Sequence, residues 1–578
     1  MSRYTACPLD CYDACSIVYE DGKLLGNPDD PYTHGYLCPH MNHYDKQERI
    51  TEPSYLGEQI SMEEALQILK KMLQESKPQK VLHYLGRGNF GLMQQVSRHF
   101  FASYGAVLTK GSLCDGAGDA GITEGRGANH LLPPEQIAKS EVVIVWGRNI
   151  HTTNSHLLPL LKDKTVIVID PVETKMAQAA DFFLQIKPAG DIYLALLLAR
   201  FIIIEGLEDS SFLDEFADEY EDFYELTQTV RIKAILEEID VTLGDLGDIL
   251  ELIRGKKCVI LAGTGIQKYR NGADVMRAID AVAVLLGLFG KEGCGVSYLG
   301  DSSLGIETPF NVGAGREFMA NADFSKYDTV FVQGSNPLNQ MPDTTRVEET
   351  MRKVKNLVYF GLHENETSKK ASLVIPAKTF LEKNDIRSSY GHNALRKMPI
   401  LKESPTGISE YELSAWLCGE FGIEIESEEF YLEHFASFGT GGDAQMSVKG
   451  RLEMPYGNGF ETDDGSFEFL EELDFDFDMR EGYFLITPKS PKSLNSQFRR
   501  EECVYVSPQT GFLDGQLLRI ISQNGSVELV ARHSTRLRND CLLIYSGTPG
   551  VNLLTASKLS YEGENATYQE NKVKVEVC

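Results

Sequence analysis

Four cysteines near the front of the chain constrain it more than any other feature. Cys7, Cys11 and Cys15 recur at every fourth position in CPLDCYDACS, and Cys38 follows in GYLCP. Thiolates select soft metals such as zinc, copper or iron-sulfur clusters. Structural zinc more often takes cysteine pairs with two intervening residues. Here three residues separate each neighbouring pair and a fourth cysteine lies at a distance, the pattern of a chain wrapped around a four-iron, four-sulfur cluster, with structural zinc as the alternative. Residues 1–50 read as loop-rich and held by their metal rather than by a core.

A chain of 578 residues holds several domains at about 150 residues each. Its net charge of -28 excludes a nucleic-acid partner, which needs a basic face. An acidic shell suits a basic redox partner, or is simply a solvated surface. Met1 to Cys7 leaves no room for a signal peptide and no twin-arginine leader is present, so a cytoplasmic location is expected. The longest apolar run, IYLALLLARFIIIEGL, is broken by Arg200 and is too short to span a bilayer, so it reads as a buried helix. Eleven cysteines in a reducing compartment fit metal binding better than disulfides.

Along the chain, SMEEALQILKKMLQES carries a serine cap with glutamate three residues on and predicts a helix. KVLHYLG predicts a strand running into Gly86, Gly88 and Gly91. That G-x-G-x-x-G is either a dinucleotide fingerprint or a turn packed on the cluster segment; no acidic residue closes a following strand as the fingerprint requires. Cys114 lies in LTKGSLCDGAGDAGITEGRG, among small residues where backbone can approach a bulky ligand. A lone cysteine is usually a buried structural thiol, with metal ligation as the alternative.

EVVIVWGRN and KTVIVIDP read as central strands of a parallel sheet, which bind ligands beyond their carboxyl ends. Those ends carry Trp146, Gly147, Arg148, Asn149, Asp170 and Thr174, then Pro188, Gly190 and Asp191. KKCVILAGTGIQKYRNG repeats the pattern with Gly263, Thr264, Gly265, Gln267 and Arg270. A further series ends in Gly334, Ser335 and Asn336, then His363, Glu364 and Thr367. Two series suit two nucleotide-like ligands, although parallel sheets generally end in such turns. Residues 441–481 are densely acidic and read as a surface connection. Beyond them short strands, one pair joined at Asn524-Gly525, predict a small β barrel. SLNSQF and TPGVNLLT are polar loops placed to close over a ligand.

These motifs, taken in order, resemble the molybdenum or tungsten bis(pyranopterin guanine dinucleotide) oxidoreductases: the dimethyl sulfoxide reductases, periplasmic nitrate reductases and formate dehydrogenases. The resemblance runs nearly end to end and rests on CPLDCYDACS with GYLCP, LCDGAG, VIVWGRN with VIDP and PAGD, GTGIQKYRNG, VQGSNP with LHENET, and NSQF with VNLLT. It implies an α/β multidomain fold. A cluster domain at 1–50 stands beside an α/β pterin-binding domain at 51–130 and 300–440, an α/β dinucleotide-binding domain at 131–299, the acidic connection at 441–481, and a barrel at 482–578 that covers the pterins. Both α/β domains carry mainly parallel sheets.

Carried over by position, Cys7, Cys11, Cys15 and Cys38 resemble the cluster ligands, Cys114 the ligand to molybdenum or tungsten, and the strand-end residues the grips on two guanine dinucleotides. Asn495, Gln497 and Asn552 reach in from the barrel. His40 stands where many relatives have a lysine between cluster and pterin. Asp115 stands where formate dehydrogenases have histidine, which disfavours formate. Asp115, His151 and Arg126 are candidates near the substrate funnel. The resemblance implies two-electron oxo transfer on a small sulfur, nitrogen or similar oxo compound, with electrons relayed through one cluster to an iron-sulfur or ferredoxin-like partner. Alternatives are a formate dehydrogenase-like enzyme, a non-redox tungsten hydratase or hydroxyl transferase, and a cofactor-free electron-transfer or scaffold subunit.

Overall fold

The computed structural model describes residues 3–86, 90–218, 220–442, 445–473 and 480–578. Two parallel sheets form its frame. In the first, strands Phe182–Leu184, Thr165–Ile169, Val142–Trp146, Cys258–Ala262 and Gly295–Ser297 lie side by side, all parallel. Every residue of Val142–Trp146 and of Cys258–Ala262 is buried, because helices cover both faces and leave no reason for polar alternation. The second sheet has eight strands. Glu317–Phe318, Val107–Lys110, Val81–Leu85, Thr329–Gln333, Asn356–Gly361 and Leu373–Pro376 run parallel, and the short Ser54–Tyr55 and Glu58–Gln59 close one edge antiparallel. The tail is a closed six-stranded barrel whose strands run from Tyr483–Ile486 to Lys572–Val577. The α/β multidomain class with a terminal barrel is thus the observed architecture.

The apolar run after Ile192 is helix Asp191–Ile204, buried within the core of the five-stranded unit. Arg200 interrupts it to donate to the Val230 carbonyl at 2.7 Å. Among the described residues no helix is long and apolar enough to cross a membrane.

Three expectations are corrected. The first fifty residues do have a core: strands Arg3–Ala6, Ser16–Glu20 and Lys23–Gly26 form an antiparallel sheet, and Ala6, Leu9, Ile17, Leu37 and Met41 pack against Phe380 and Met398. The helix Gly116–Arg126, assigned to the 51–130 domain, packs instead on Gly272–Leu285 of the five-stranded unit, where a Cβ at Gly121 would meet the Ala273 carbonyl at 2.3 Å. The acidic segment is no mere connection. Phe460, Phe467, Phe469 and Leu470 are buried in the five-stranded unit, and Phe467–Glu468 pairs with Ala217–Asp218. Phe467→Ala is therefore expected to cost about 3–5 kcal/mol. Thermal denaturation checks this, and an unchanged midpoint would restore the segment to the surface.

Candidate active site

The carboxyl ends of both sheets and the inner loops of the barrel open onto one cavity of about 1690 Å³. Ordinary ligand pockets hold roughly 300–1,000 Å³, so this one has room for more than one small molecule. The two sheets approach it by the same local device. Gly147 and Gly334 each end a strand with φ of 59° and 54°, in the left-handed region that favours glycine. Their N–H groups donate to Ile169 and Phe360, the last or next-to-last residues of the neighbouring strands. Gly263 and Gly86 then lie so close that a Cβ on either would strike the carbonyl of Gly147 or Gly334. Asn149 and Asn336 cap the short helices that follow. Gly86 and Gly263 are thus counterparts. Gly88 of the glycine motif lies outside the described residues. The turn also packs on the cluster segment, with Phe90 N donating to the Pro8 carbonyl at 2.8 Å.

Cys114 lines this cavity. Ser112 Oγ accepts from the N–H of Cys114 at 2.8 Å and of Asp115 at 3.2 Å, and donates to Asp115 Oδ1 at 2.9 Å. Gln267 donates to the Cys114 carbonyl at 2.7 Å and accepts from Gly118 N at 3.0 Å. The small residues behind Cys114 serve packing, since a Cβ at Gly116, Gly118 or Gly125 would meet Gly563, Tyr298 or Phe467. Burial, then the charge of Asp115, pushes the Cys114 thiol up to about 11. Such a sulfur ionises when a metal or another cation compensates it.

Many of the residues read from the sequence line the cavity: Gly147, Arg148, Asn149 and His151; Asp170, Thr174 and Asp191; Gly263 and Gly265; Gly334, Ser335 and Asn336; His363 and Glu364; Asn495, Gln497 and Asn552. Arg148 is buried with Nη2 unpartnered, as is the neighbouring Asn149 Oδ1. Buried polar atoms without a partner are costly, so both are open to a ligand in the cavity. Burial raises Asp170 to about 7 and Asp191 to about 6. The lining carries eleven Lys or Arg against ten Asp or Glu, in a chain with 56 against 84. The cavity is therefore far less hostile to phosphate than the surface around it.

Other expected residues act one step back. Trp146 is fully buried and donates Nε1 to Asp191 Oδ1 at 2.7 Å, so its indole holds Asp191 rather than a ligand. Gly190 is the cap of helix Asp191–Ile204 and sits under Ile239. Gln267 is fully buried and serves Cys114 as described. Thr367 donates Oγ1 to Asn336 Oδ1 at 2.8 Å and is itself buried. The Asn552 amide is taken by the Asn339 carbonyl at 2.6 Å and by Thr555 at 2.9 Å. Arg270 pairs with Glu570 at 2.6 Å, and Arg126 is sealed in the core against Asp280, away from any funnel. His40, half-buried with its pKa lowered by burial, packs 4.7 Å from the ring of Phe498, which does line the cavity.

Cys7 and Cys15 are buried, Cys11 and Cys38 half-buried. Cys7 N donates to the Cys15 carbonyl at 2.9 Å, closing the loop. The buried Arg387 ties that loop down by donating to the carbonyls of Leu9 and Cys11 at 3.2 and 3.1 Å and of Phe90 at 2.9 Å. Burial pushes Cys7 up to about 12, and the charge of Cys38 adds to it. Cys11 and Cys15 are raised in the same way. Among the described residues no three His, Cys, Asp or Glu side chains converge tightly enough for a single metal ion.

Sequence reasoning missed Asp10, Lys268, Lys489 and Tyr390, all in the lining. Asp10 Oδ1 accepts from Tyr390 Oη at 3.2 Å, and Asp10 and both lysines lie within electrostatic reach of Cys114. Proximity of Asp10 to Cys11 in sequence was the one available signal.

The description "molybdopterin oxidoreductase" belongs to the family model that matches residues 56–401. The probable oxidoreductase YyaE of Bacillus subtilis (strain 168) is 27% identical over 81% of this chain and 78% of its own. The probable oxidoreductase YoaE of the same strain is 24% identical over 99% and 98%. Among solved structures, acetylene hydratase from Pelobacter acetylenicus matches with a TM-score of 0.81 over 100% of both chains at 16% identity, a likeness of fold. With well over half of its length inside that family model, the chain belongs to the molybdopterin oxidoreductase family.

Proposed function

We propose that this chain is a cytoplasmic molybdenum or tungsten oxidoreductase. It holds two pyranopterin guanine dinucleotides in the cavity, the metal on Cys114, and one four-iron, four-sulfur cluster on Cys7, Cys11, Cys15 and Cys38. Its reaction is oxo transfer on a small sulfur, nitrogen or similar oxo compound, with electrons exchanged through an iron-sulfur or ferredoxin-like partner. One observation carries the reading: Cys114 opens onto a cavity flanked by two strand ends of matching geometry, one from each sheet. A scaffold subunit has no need of a thiol there.

When bound, the metal supplies two-electron exchange and the cluster single-electron transfer. The chain's own residues bind and orient. Arg148 Nη2 suits phosphate or carbonyl oxygens. Asp170 and Asp191 suit the ring and amine N–H donors of guanine. Near Cys114, Asp10 Oδ1 accepts from the Tyr390 hydroxyl and Asp115 Oδ1 from the Ser112 hydroxyl, which fixes both carboxylates beside the thiol. The charges of the four thiols act on one another, and their spacing in the sequence suits an iron-sulfur cluster.

Metal analysis, pterin fluorescence and iron spectroscopy on the purified protein test this reading. Molybdenum or tungsten with two pterins and four irons per chain is expected; a protein with neither metal would end it. The end-to-end fold likeness to acetylene hydratase favours a second reading, water addition without net electron transfer. A dye-linked assay separates the two, because only the oxidoreductase bleaches or colours the dye.

A pH prediction follows from the buried carboxyls. Both bind a proton more tightly folded than unfolded, where carboxyls titrate near 4. Their stabilising contribution is complete below that pH and is lost as pH rises through about 6 for Asp191 and about 7 for Asp170. Asp170→Asn is expected to flatten the fall in melting temperature of cofactor-free protein between pH 5 and 8. Parallel curves for variant and parent would contradict it.

A further inference from the structure

Two ammonium groups stand beside Cys114 with no carboxylate of their own. Lys268 donates Nζ to the carbonyl of Leu113 at 3.2 Å, one residue before Cys114, and lies 4.9 Å from the Tyr568 ring centroid. Lys489 donates Nζ to Asn495 Oδ1 at 2.5 Å, from the barrel side. Both line the cavity, and each acts on the Cys114 thiol through charge. Four other cations of the lining are paired with carboxylates: Lys110 with Glu564, Lys378 with Glu412, Lys383 with Glu410 and Arg500 with Glu366. Among the described residues Lys268 and Lys489 have no such partner, although Asp10 and Asp115 face the same space.

Two like charges sharing a partly dry space repel, and an anion between them turns that repulsion into attraction. The end of helix Gly116–Arg126 adds the positive pole of eleven aligned residues, and its cap residue Asp115 makes no side-chain cap bond. The protein as a whole, at -28, repels anions. Beside Cys114 the two ammoniums answer the carboxylates of Asp10 and Asp115, so an entering anion meets cations there that the acidic surface around it does not offer. We propose that Lys268 and Lys489 are the specificity-determining residues of the site and hold a small oxyanion beside Cys114 in preference to a neutral oxo donor. This rests on the oxidoreductase reading above and names its substrate class. The competing role for the pair is to balance the charge of the cofactor itself.

Titration calorimetry on oxidised holoenzyme tests it, with nitrate as the anionic probe and trimethylamine N-oxide as the neutral one. Metal and pterin contents are measured on every preparation. Nitrate is expected to bind at least about tenfold tighter than the N-oxide. Lys268→Gln and Lys489→Gln should each weaken nitrate about tenfold more than they weaken the N-oxide, and Lys268→Arg should restore most of the difference. Absence of nitrate binding, equal weakening of both probes, or loss of pterin and metal in the glutamine variants would each overturn the proposal. A parent protein without molybdenum or tungsten would instead overturn the oxidoreductase reading, and this inference with it.

Discussion

Cys114→Ala is expected to leave the purified protein without molybdenum or tungsten while its iron content stays at the parent's level. The backbone of Cys114 is held from both sides by groups the substitution does not touch. Ser112 Oγ accepts from its N–H and Gln267 donates to its carbonyl. Alanine therefore inherits the same turn, and only the sulfur is lost. The four N-terminal thiols belong to another unit with its own small core, so the iron proposed there has no reason to follow. Removing even an outer-shell partner of a metal ligand lowers affinity or activity by about 10–100-fold; removing the ligand itself should exceed that in a dye-linked assay. Metal analysis beside iron determination checks the result, and unchanged molybdenum or tungsten would take Cys114 out of the site.

Much of this arrangement was legible because apolar strands that end in glycine and asparagine write their own boundaries. VVIVW before Gly147 and TVFVQ before Gly334 are buried throughout, as a doubly covered parallel sheet requires. What a strand end does not reveal is which way each side chain points. Trp146 and Gln267 stand in the right segments but turn inward, one to hold Asp191 and one to hold the Cys114 turn. The acidic segment misled for a related reason. In FEFLEEL the alternation of Phe467, Glu468 and Phe469 is a strand with one wet face, hidden by the density of charge around it. Lys268 and Lys489 could not be seen at all, because isolated lysines carry no pattern until folding brings them beside Cys114.

The pair Arg126 and Asp280 supports the second large prediction. Both side chains are essentially sealed from water, and the guanidinium donates Nε to Asp280 Oδ2 at 2.7 Å with a second bond in parallel. Asp280→Asn leaves that cation buried without a counter-charge and is expected to cost about 3–5 kcal/mol. Replacing both partners, as in Arg126→Met with Asp280→Leu, removes the unpaired charge and should recover most of the loss. The effect reaches the active site through one rigid element. Arg126 ends the helix whose other end follows directly on Cys114, and Asp280 lies on the helix Gly272–Leu285 against which it packs. Misplacing a reacting group by about 1 Å can cost about a hundredfold in rate. The single variant should therefore lose activity as well as stability, whereas the apolar double variant regains stability first and activity only as far as the helix returns to its seat. Denaturation midpoints for the parent, Asp280→Asn and the Arg126→Met with Asp280→Leu double variant, set beside their metal contents, decide the matter. A double variant no more stable than Asp280→Asn would mean that the pair itself, rather than relief of an unpaired charge, holds the Cys114 helix in register.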